Sequence, residues 1–185
     1  MRRFMRFNRN RSALRYNVFI RLLHALIASG ILLQLVIGFF RHRFYAFWPR
    51  KTLMMLHQSI GLTLLVLVIL LIVTRLFSRK IPYPSGDIPL YLVVFAKLVR
   101  FGLYVCILLM ALSGLVAFQL FHHSWQYFDL FSIPNLLVQN PRLGHEIFMF
   151  HPVVANVLVA LVILHVLGSF YHRVIRKDNV VKRMC

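Results

Sequence analysis

The chain has 185 residues, of which 60% are hydrophobic and only 14% charged, with a formal net charge of +18. Soluble domains carry about 25% charged residues, so this composition, with a mean hydropathy of +0.75, excludes an ordinary water-soluble globule. The length allows a single domain. A pI near 11.4 would suggest nucleic acid in a soluble protein, but the placement of the cations described below assigns them to membrane topology and lipid headgroups, not to RNA.

In chain order, residues 1–15 form a polar, Arg/Asn-rich segment ahead of a domain over 16–185. Four apolar runs follow, at about 18–40, 52–77, 98–121 and 151–171, against the roughly 20 residues a membrane-spanning helix needs. The first run is too long for a signal-peptide core and no small-residue cleavage site follows it. Between the first and second runs, the turn over 41–51 carries Phe44, Tyr45, Phe47 and Trp48, which suit an interfacial aromatic belt. The next connection, 81–89, holds Pro82, Pro84, Gly86 and Pro89 and reads as a turn. The third, 122–150, is the longest; its Trp125, Tyr127, Phe128, Pro134 and Pro141 predict a cap lying on the end of a bundle. Cys106 lies mid-span as a packing residue, Cys185 is a terminal thiol without a prenylation context, and no Cys-x-x-Cys-His is present for covalent haem attachment.

Cations are sorted between the two sides of these spans. Arg2, Arg3, Arg6, Arg9, Arg11, Arg15 and Arg21, then Arg75, Arg79, Lys80, Lys97 and Arg100, then Arg173, Arg176, Lys177, Lys182 and Arg183 fall on one side. The other side has Arg41, Arg43, Arg50, Lys51 and Arg142, a split of 17 to 5. By the positive-inside rule both termini are cytoplasmic. Lipid offers no hydrogen-bond partners, so the spans must be helices. The expected fold is therefore an all-α, up-down-up-down bundle of four transmembrane helices, an architecture that houses cofactors between facing helices.

Depth in the membrane separates histidine ligands from bystanders. His24 lies about two turns from the inner end of the first span, and His165 about two turns from the inner end of the fourth. His57 lies just inside the outer end of the second span, and His151 opens the fourth. His151 and His165 are fourteen residues apart, so they project from nearly one helical face about 21 Å apart along the axis. That spacing suits two haems stacked through a hydrocarbon core of about 30 Å, ligated His24–His165 on the inner side and His57–His151 on the outer. Bis-histidine ligation leaves no open iron position and favours electron transfer. His145 competes with His151, but it lies twenty residues before His165, about 200° around a continuous helix. Pro152 follows His151 directly, so a helix starts or kinks at that ligand. His42, His122 and His123 fall in outer turns as solvated polar residues. His172 lies seven residues past His165 on nearly the same face, where it reaches a haem propionate, a quinone or only the interface. Gly30, Gly38, Gly61, Gly114 and Gly168 lie inside spans, where small residues permit close helix approach or leave room for a flat macrocycle. Gly61, one turn after His57, is the best candidate to lie against porphyrin.

These residues together resemble the prokaryotic cytochrome b561 family, four-helix di-haem b cytochromes of the bacterial inner membrane. The resemblance runs from about residue 15 to 184. It is carried by Leu22-Leu23-His24, by Leu56-His57-Gln58-Ser59-Ile60-Gly61, and by Thr74-Arg75-Leu76-Phe77-Ser78-Arg79. Leu103-Tyr104 and Ser113-Gly114 follow, then His151, His165, His172, Lys177-Asp178-Asn179 and Lys182-Arg183-Met184. It implies two haems b, electron exchange between membrane ubiquinone and a small partner, and superoxide oxidation coupled to ubiquinone reduction as one associated activity. Where the family often reads Ala-His-x-x-His at the start of the third span, this chain has Ala96-Lys97-Leu98-Val99-Arg100. That leaves the axial histidines untouched and changes any quinone or propionate contact made there, a role open to His172, Lys97 and Arg100.

The expectation is a quinone-linked oxidoreductase in the inner membrane. The acidic residues Asp87, Asp129, Glu146 and Asp178 all lie in turns or at ends, which argues against hydrolytic chemistry. Two other readings share the four spans: an anchor cytochrome taking electrons from a partner dehydrogenase, and a haem-free transporter or assembly protein. A partner-binding surface would favour the first, and an absorbance spectrum decides the second.

Overall fold

The computed structural model describes residues 15–78, 88–177 and 180–183. The polar segment before Arg15 and nearly all of the proline-containing 81–89 turn lie outside the described residues. Four long helices form the body: α1 (Val18–Phe44), α2 (Arg50–Phe77), α3 (Leu90–Phe121) and α4 (Pro141–Phe170). A two-stranded antiparallel hairpin, β1 (Trp125–Tyr127) and β2 (Phe131–Ile133), connects α3 to α4. All four helices are long and apolar enough to cross a membrane, and the protein is a membrane protein. The end bearing the α1–α2 turn and the hairpin is called the outer end below, the opposite one the inner end.

The buried stripe on α1 is Ile20, Leu23, Ile27 and Ile31, a three- and four-residue spacing that keeps one face inward. It meets Leu64, Val68 and Leu71 of α2, Cys106 and Ile107 of α3 and Leu158 of α4 in one core. Leu22, Leu26, Leu33, Val66, Leu109 and Val166 face outward although apolar, which is the pattern expected when lipid is the solvent. Glycines set two of the close approaches: a Cβ at Gly30 would lie 2.8 Å from Leu64 Cδ2, and one at Gly144 would meet Phe121, Leu120 and the Ala117 carbonyl at 3.1–3.3 Å. α3 packs most extensively on α4, α1 on α2 and α2 on α3, whereas α1 and α4 have little close backbone contact.

Two helix starts differ from the sequence expectation. α4 begins at Pro141, about ten residues before the expected start, so His151 and Pro152 lie three turns inside the helix. Asn140 supplies the cap, its side chain accepting from Leu143 N at 3.1 Å, with Pro141 in the first turn. The added turns contain Arg142, His145 and Glu146, too polar to register as a span. α3 begins at Leu90, so Lys97 and Arg100 sit in its second and third turns instead of opening it. Long basic side chains do not break a helix, because their stems pack while their heads reach outward.

The outer connection is a cap, as its aromatics and prolines suggested, but an ordered one. Tyr127 and Leu130 close its turn with a 2.9 Å bond, and Phe128 and Asp129 adopt φ of 48° and 57°. Positive φ is unfavourable for a phenylalanine, and contacts to α2 hold it: Phe128 N–H donates to Ser59 Oγ at 3.0 Å. Thr63 Oγ1 donates to the Ser59 carbonyl at 2.9 Å and so accepts from the Tyr127 hydroxyl, also at 2.9 Å. Buried Gln119 clamps the chain just past β2, donating to the Pro134 carbonyl and accepting from Leu136 N.

Candidate functional site: two histidine pairs at two depths

The fold brings together four of the nine histidines in two pairs. At the outer level the rings of His57 and His151 have centroids 6.1 Å apart. At the inner level His24 and His165 have centroids 6.2 Å apart. α4 contributes to both pairs, and α1 and α2 one each. The gap between α1 and α4 is where their two inner histidines face each other.

These separations test whether a haem fits. A metal bonded to an imidazole nitrogen at about 2.0 Å on each side, with each ring centre about 1.1 Å further, places the centroids about 6 Å apart. Both pairs meet that requirement. Among the described residues no group of three or more His, Cys, Asp or Glu side chains gathers to hold a bare metal ion. Two histidines alone suit an iron that brings its other four ligands in a macrocycle. At the outer level the space for one is visible. A cavity of about 360 Å³ is lined by Gln34, Gly38, Arg41, His57, Gly61 and His151. A second, of about 270 Å³, is lined by Gly61, Gly114, Phe118, His123, Trp125 and His151. Both adjoin the same two histidines, so a flat ring between the imidazoles would extend into each.

The imidazoles are set differently. His57 Nδ1 is enclosed by protein and has no hydrogen-bond partner among the described residues, so Nε2 is the ring nitrogen left for a ligand. Its helix is fixed from α1, where Gln34 Nε2 donates to the His57 carbonyl at 2.6 Å. His151 stacks on Phe148 of its own helix, with centroids 5.9 Å apart and planes within 8°. Its Nδ1 lies 3.1 Å from Ser113 Oγ on α3. At the inner level, Arg75 lies within electrostatic reach of His24 and Arg100 within reach of His165. Those guanidiniums would answer two carboxylates there. Arg75 also sits over the Tyr16 ring at 4.1 Å, and Arg100 Nε donates to the Ala96 carbonyl of its own helix.

The remaining candidates fall as follows. Gly61 lines both outer cavities; a Cβ there would meet only Gln34 Nε2, at 3.2 Å. His172 is half-buried in a π-helical turn, Tyr171–Ile175, that continues α4 at the inner end. Its ring meets Tyr171 edge-on. Lys97 is exposed. His145, the competitor of His151, is exposed and lines neither cavity. His42, His122 and His123 are exposed at the outer end, though His42 and His123 each reach a cavity mouth. Sequence reasoning singled out Gly114 as a small residue inside a span, but it paired neither Ser113 nor Gly114 with His151; a Cβ added at Gly114 would lie 3.3 Å from His151 Cε1. The available signal was a small polar residue beside a glycine at the depth of a ligand on a facing helix. It also missed Gln34, a polar side chain in mid-span.

The chain is 26% identical over 157 residues, 83% of its own length and 88% of the relative's, to a probable superoxide oxidase CybB of Yersinia pestis. The family model of prokaryotic cytochrome b561, a family of haem b membrane proteins, matches residues 15–185. With four spans and two facing histidine pairs already in place, that match over nearly the whole chain makes this protein a member of the prokaryotic cytochrome b561 family, a membrane cytochrome of electron transport.

Proposed function

We propose that the protein holds two haems b and passes electrons between a small donor at its outer face and ubiquinone at its inner end, in the bacterial inner membrane with both termini cytoplasmic. The observation that carries this reading is the pair of imidazole couples, 6.1 and 6.2 Å between centroids, at two depths of one bundle. His57 and His151 ligate the outer haem and His24 and His165 the inner one. When bound, the haems supply reversible one-electron carriers. The chain orients them, excludes water with the apolar walls of the cavities, and tunes their potentials. Gly61 leaves room beside the outer ring. The 17-to-5 sorting of basic residues supports the orientation.

Superoxide is the favoured donor. Arg41, Arg43, Arg50, Lys51 and Arg142 are exposed at the outer end and give it a positive field, which raises anion encounter rates. Arg41 stands at the mouth of the larger cavity, within electrostatic reach of both outer histidines. Arg142 is partly answered by Glu146 at 3.4 Å. The relative in Yersinia pestis, a probable superoxide oxidase, points the same way. At the inner end His172 lies where a quinone keeps its tail in lipid while its ring reaches a side chain able to exchange protons. Lys97 and Arg100 are the nearby cations on α3.

The test is a dithionite-reduced minus oxidised spectrum of the purified full chain with pyridine haemochrome quantification. Two haems b per chain are expected; one or none overturns the di-haem assignment. Stopped-flow mixing of the oxidised protein with superoxide, then of the reduced protein with a short-chain ubiquinone, tests the substrates. Failure of either step removes that partner.

A further inference from the structure

The outer haem's two ligands are not alike, and the difference lies on α3, in the Ser113 hydroxyl and the Met110 carbonyl that both face His151. Ser113 Oγ is 3.1 Å from the Met110 carbonyl of its own helix and 3.1 Å from His151 Nδ1. A serine hydroxyl has one proton and two lone pairs. The Met110 carbonyl can only accept, and it lies within hydrogen-bond reach of His151 as well as of Ser113; with the serine proton directed to that carbonyl, a lone pair is left facing His151. Only the tautomer with a proton on Nδ1 completes that bond, and in that tautomer Nε2 carries the free lone pair. The ring is held in place as well as in protonation. Phe148 stacks on one face of it, and Gly114, next to Ser113, lets the ring lie against α3 with no Cβ in its way. Among the described residues, no comparable bond reaches a ring nitrogen of His24, His57 or His165.

We propose that Ser113 is a positioning residue for electron transfer. It fixes the tautomer and orientation of His151, and so sets the potential of the outer haem apart from that of the inner one. The inference rests on the di-haem reading above. Outer partners that accept the second ring N–H of a ligating histidine raise its basicity as a donor. A more basic imidazole favours ferric over ferrous iron. Without the hydroxyl, the outer haem should be easier to reduce.

The test is a redox titration of the detergent-purified full chain, followed optically and by EPR of the ferric state. Wild type is compared with Ser113→Ala, Ser113→Val and Ser113→Thr. The outer component is identified as the one absent from His57→Ala. Losing the bond should shift the outer haem's reduction equilibrium about threefold to tenfold, an upward shift of about 28–59 mV for one electron. Ala and Val should both show this shift, with altered EPR g-values for the outer haem. Thr should stay near wild type, and the inner component should not move in any of them. Valine has threonine's shape without its hydroxyl, so it separates hydrogen bonding from packing. Loss of the outer haem in Ala and Val with retention in Thr also supports the proposal. An unmoved outer potential in Ala and Val, or equal changes in Thr and Val, overturns it, as does loss of the outer haem in all three. A wild-type chain with fewer than two haems overturns instead the reading on which it rests.

Discussion

The outer and inner halves of the bundle hold their histidine pairs by different means. At the outer level, His57 and His151 sit between two cavities. The hairpin cap covers one side, Gln34 clamps the helix of one ligand, and Ser113, Gly114 and Phe148 frame the ring of the other. At the inner level, His24 and His165 face each other across the loose α1–α4 seam, flanked by the guanidiniums of Arg75 and Arg100. The outer pair is framed by packing and hydrogen bonds and shares one guanidinium, Arg41, within electrostatic reach of both rings, whereas the inner pair has a separate guanidinium for each histidine. For a membrane cytochrome that difference bears on direction. Hydrogen bonds to the ligands and the placement of nearby charges both act on the two oxidation states of an iron, so two haems with the same ligands need not have the same potential.

The strongest way to break the comparison is to remove the ligands. His57→Ala or His151→Ala should take the haem content from two per chain to one while sparing the inner component, and His24→Ala or His165→Ala should do the converse. Pyridine haemochrome and difference spectra report both. A haem lost from His145→Ala and kept in His151→Ala would make the outer pairing wrong. The next largest effect comes from steric pressure on one level alone. Gly114→Leu drives a side chain toward His151, whose Cε1 already lies 3.3 Å from the position of an added Cβ. We expect at least half of the outer haem to be lost, with the inner haem retained. Gly168→Leu, on α4 one turn past His165, has nothing within 4 Å of its Cβ position and should leave both haems in place.

A smaller effect concerns the outer surface charge. Superoxide reduction of the haems should slow about threefold to tenfold as the Debye length falls from about 30 Å at 0.01 M salt toward about 8 Å at 0.15 M. Replacing Arg41 and Arg43 by Gln should flatten that dependence. A rate indifferent to salt would leave these arginines a topological role and favour an uncharged or protein donor.

The four-helix architecture was legible in the sequence because lipid imposes one requirement, an apolar run of sufficient length, and all four runs meet it. The histidine pairing was legible for a related reason. Depth along a helix is a matter of counting residues, and fourteen residues between His151 and His165 fix two levels. Helix ends were harder. The first turns of α4 are polar, so hydropathy missed them, and Pro152 looked like a start when Pro141 is the residue in the first turn. The hairpin was not legible at all. Its turn places Phe128 and Asp129 at positive φ, where glycine or asparagine would have signalled it, and it is held by Ser59 and Thr63 more than sixty residues away in sequence. Ser113 and Gly114 could be read as small residues in a span, but their meeting with His151 depends on how α3 turns against α4.

The smallest expected effect falls at the inner end, and it separates quinone chemistry from haem binding. His172 follows His165 by seven residues, but the last steps of that interval pass into a π-helical turn. Such turns are rare and recur at functional sites. A wider turn rotates the residues it contains relative to a continuing α-helix, so the direction of His172 is set by the π geometry and not by two regular turns. It is half-buried beside Tyr171, at the end of the bundle where Arg100 is within electrostatic reach of His165. If a quinone ring docks there, His172→Ala removes a proton-exchanging contact without touching an axial ligand. Reoxidation of the reduced haems by a short-chain ubiquinone should slow about threefold, with the two-haem spectrum and both potentials unchanged. Lys97→Gln, exposed on α3, should change the rate less than His172→Ala does. Equal reoxidation rates in wild type and His172→Ala would move the quinone away from this end of α4 and leave the histidine an interfacial residue.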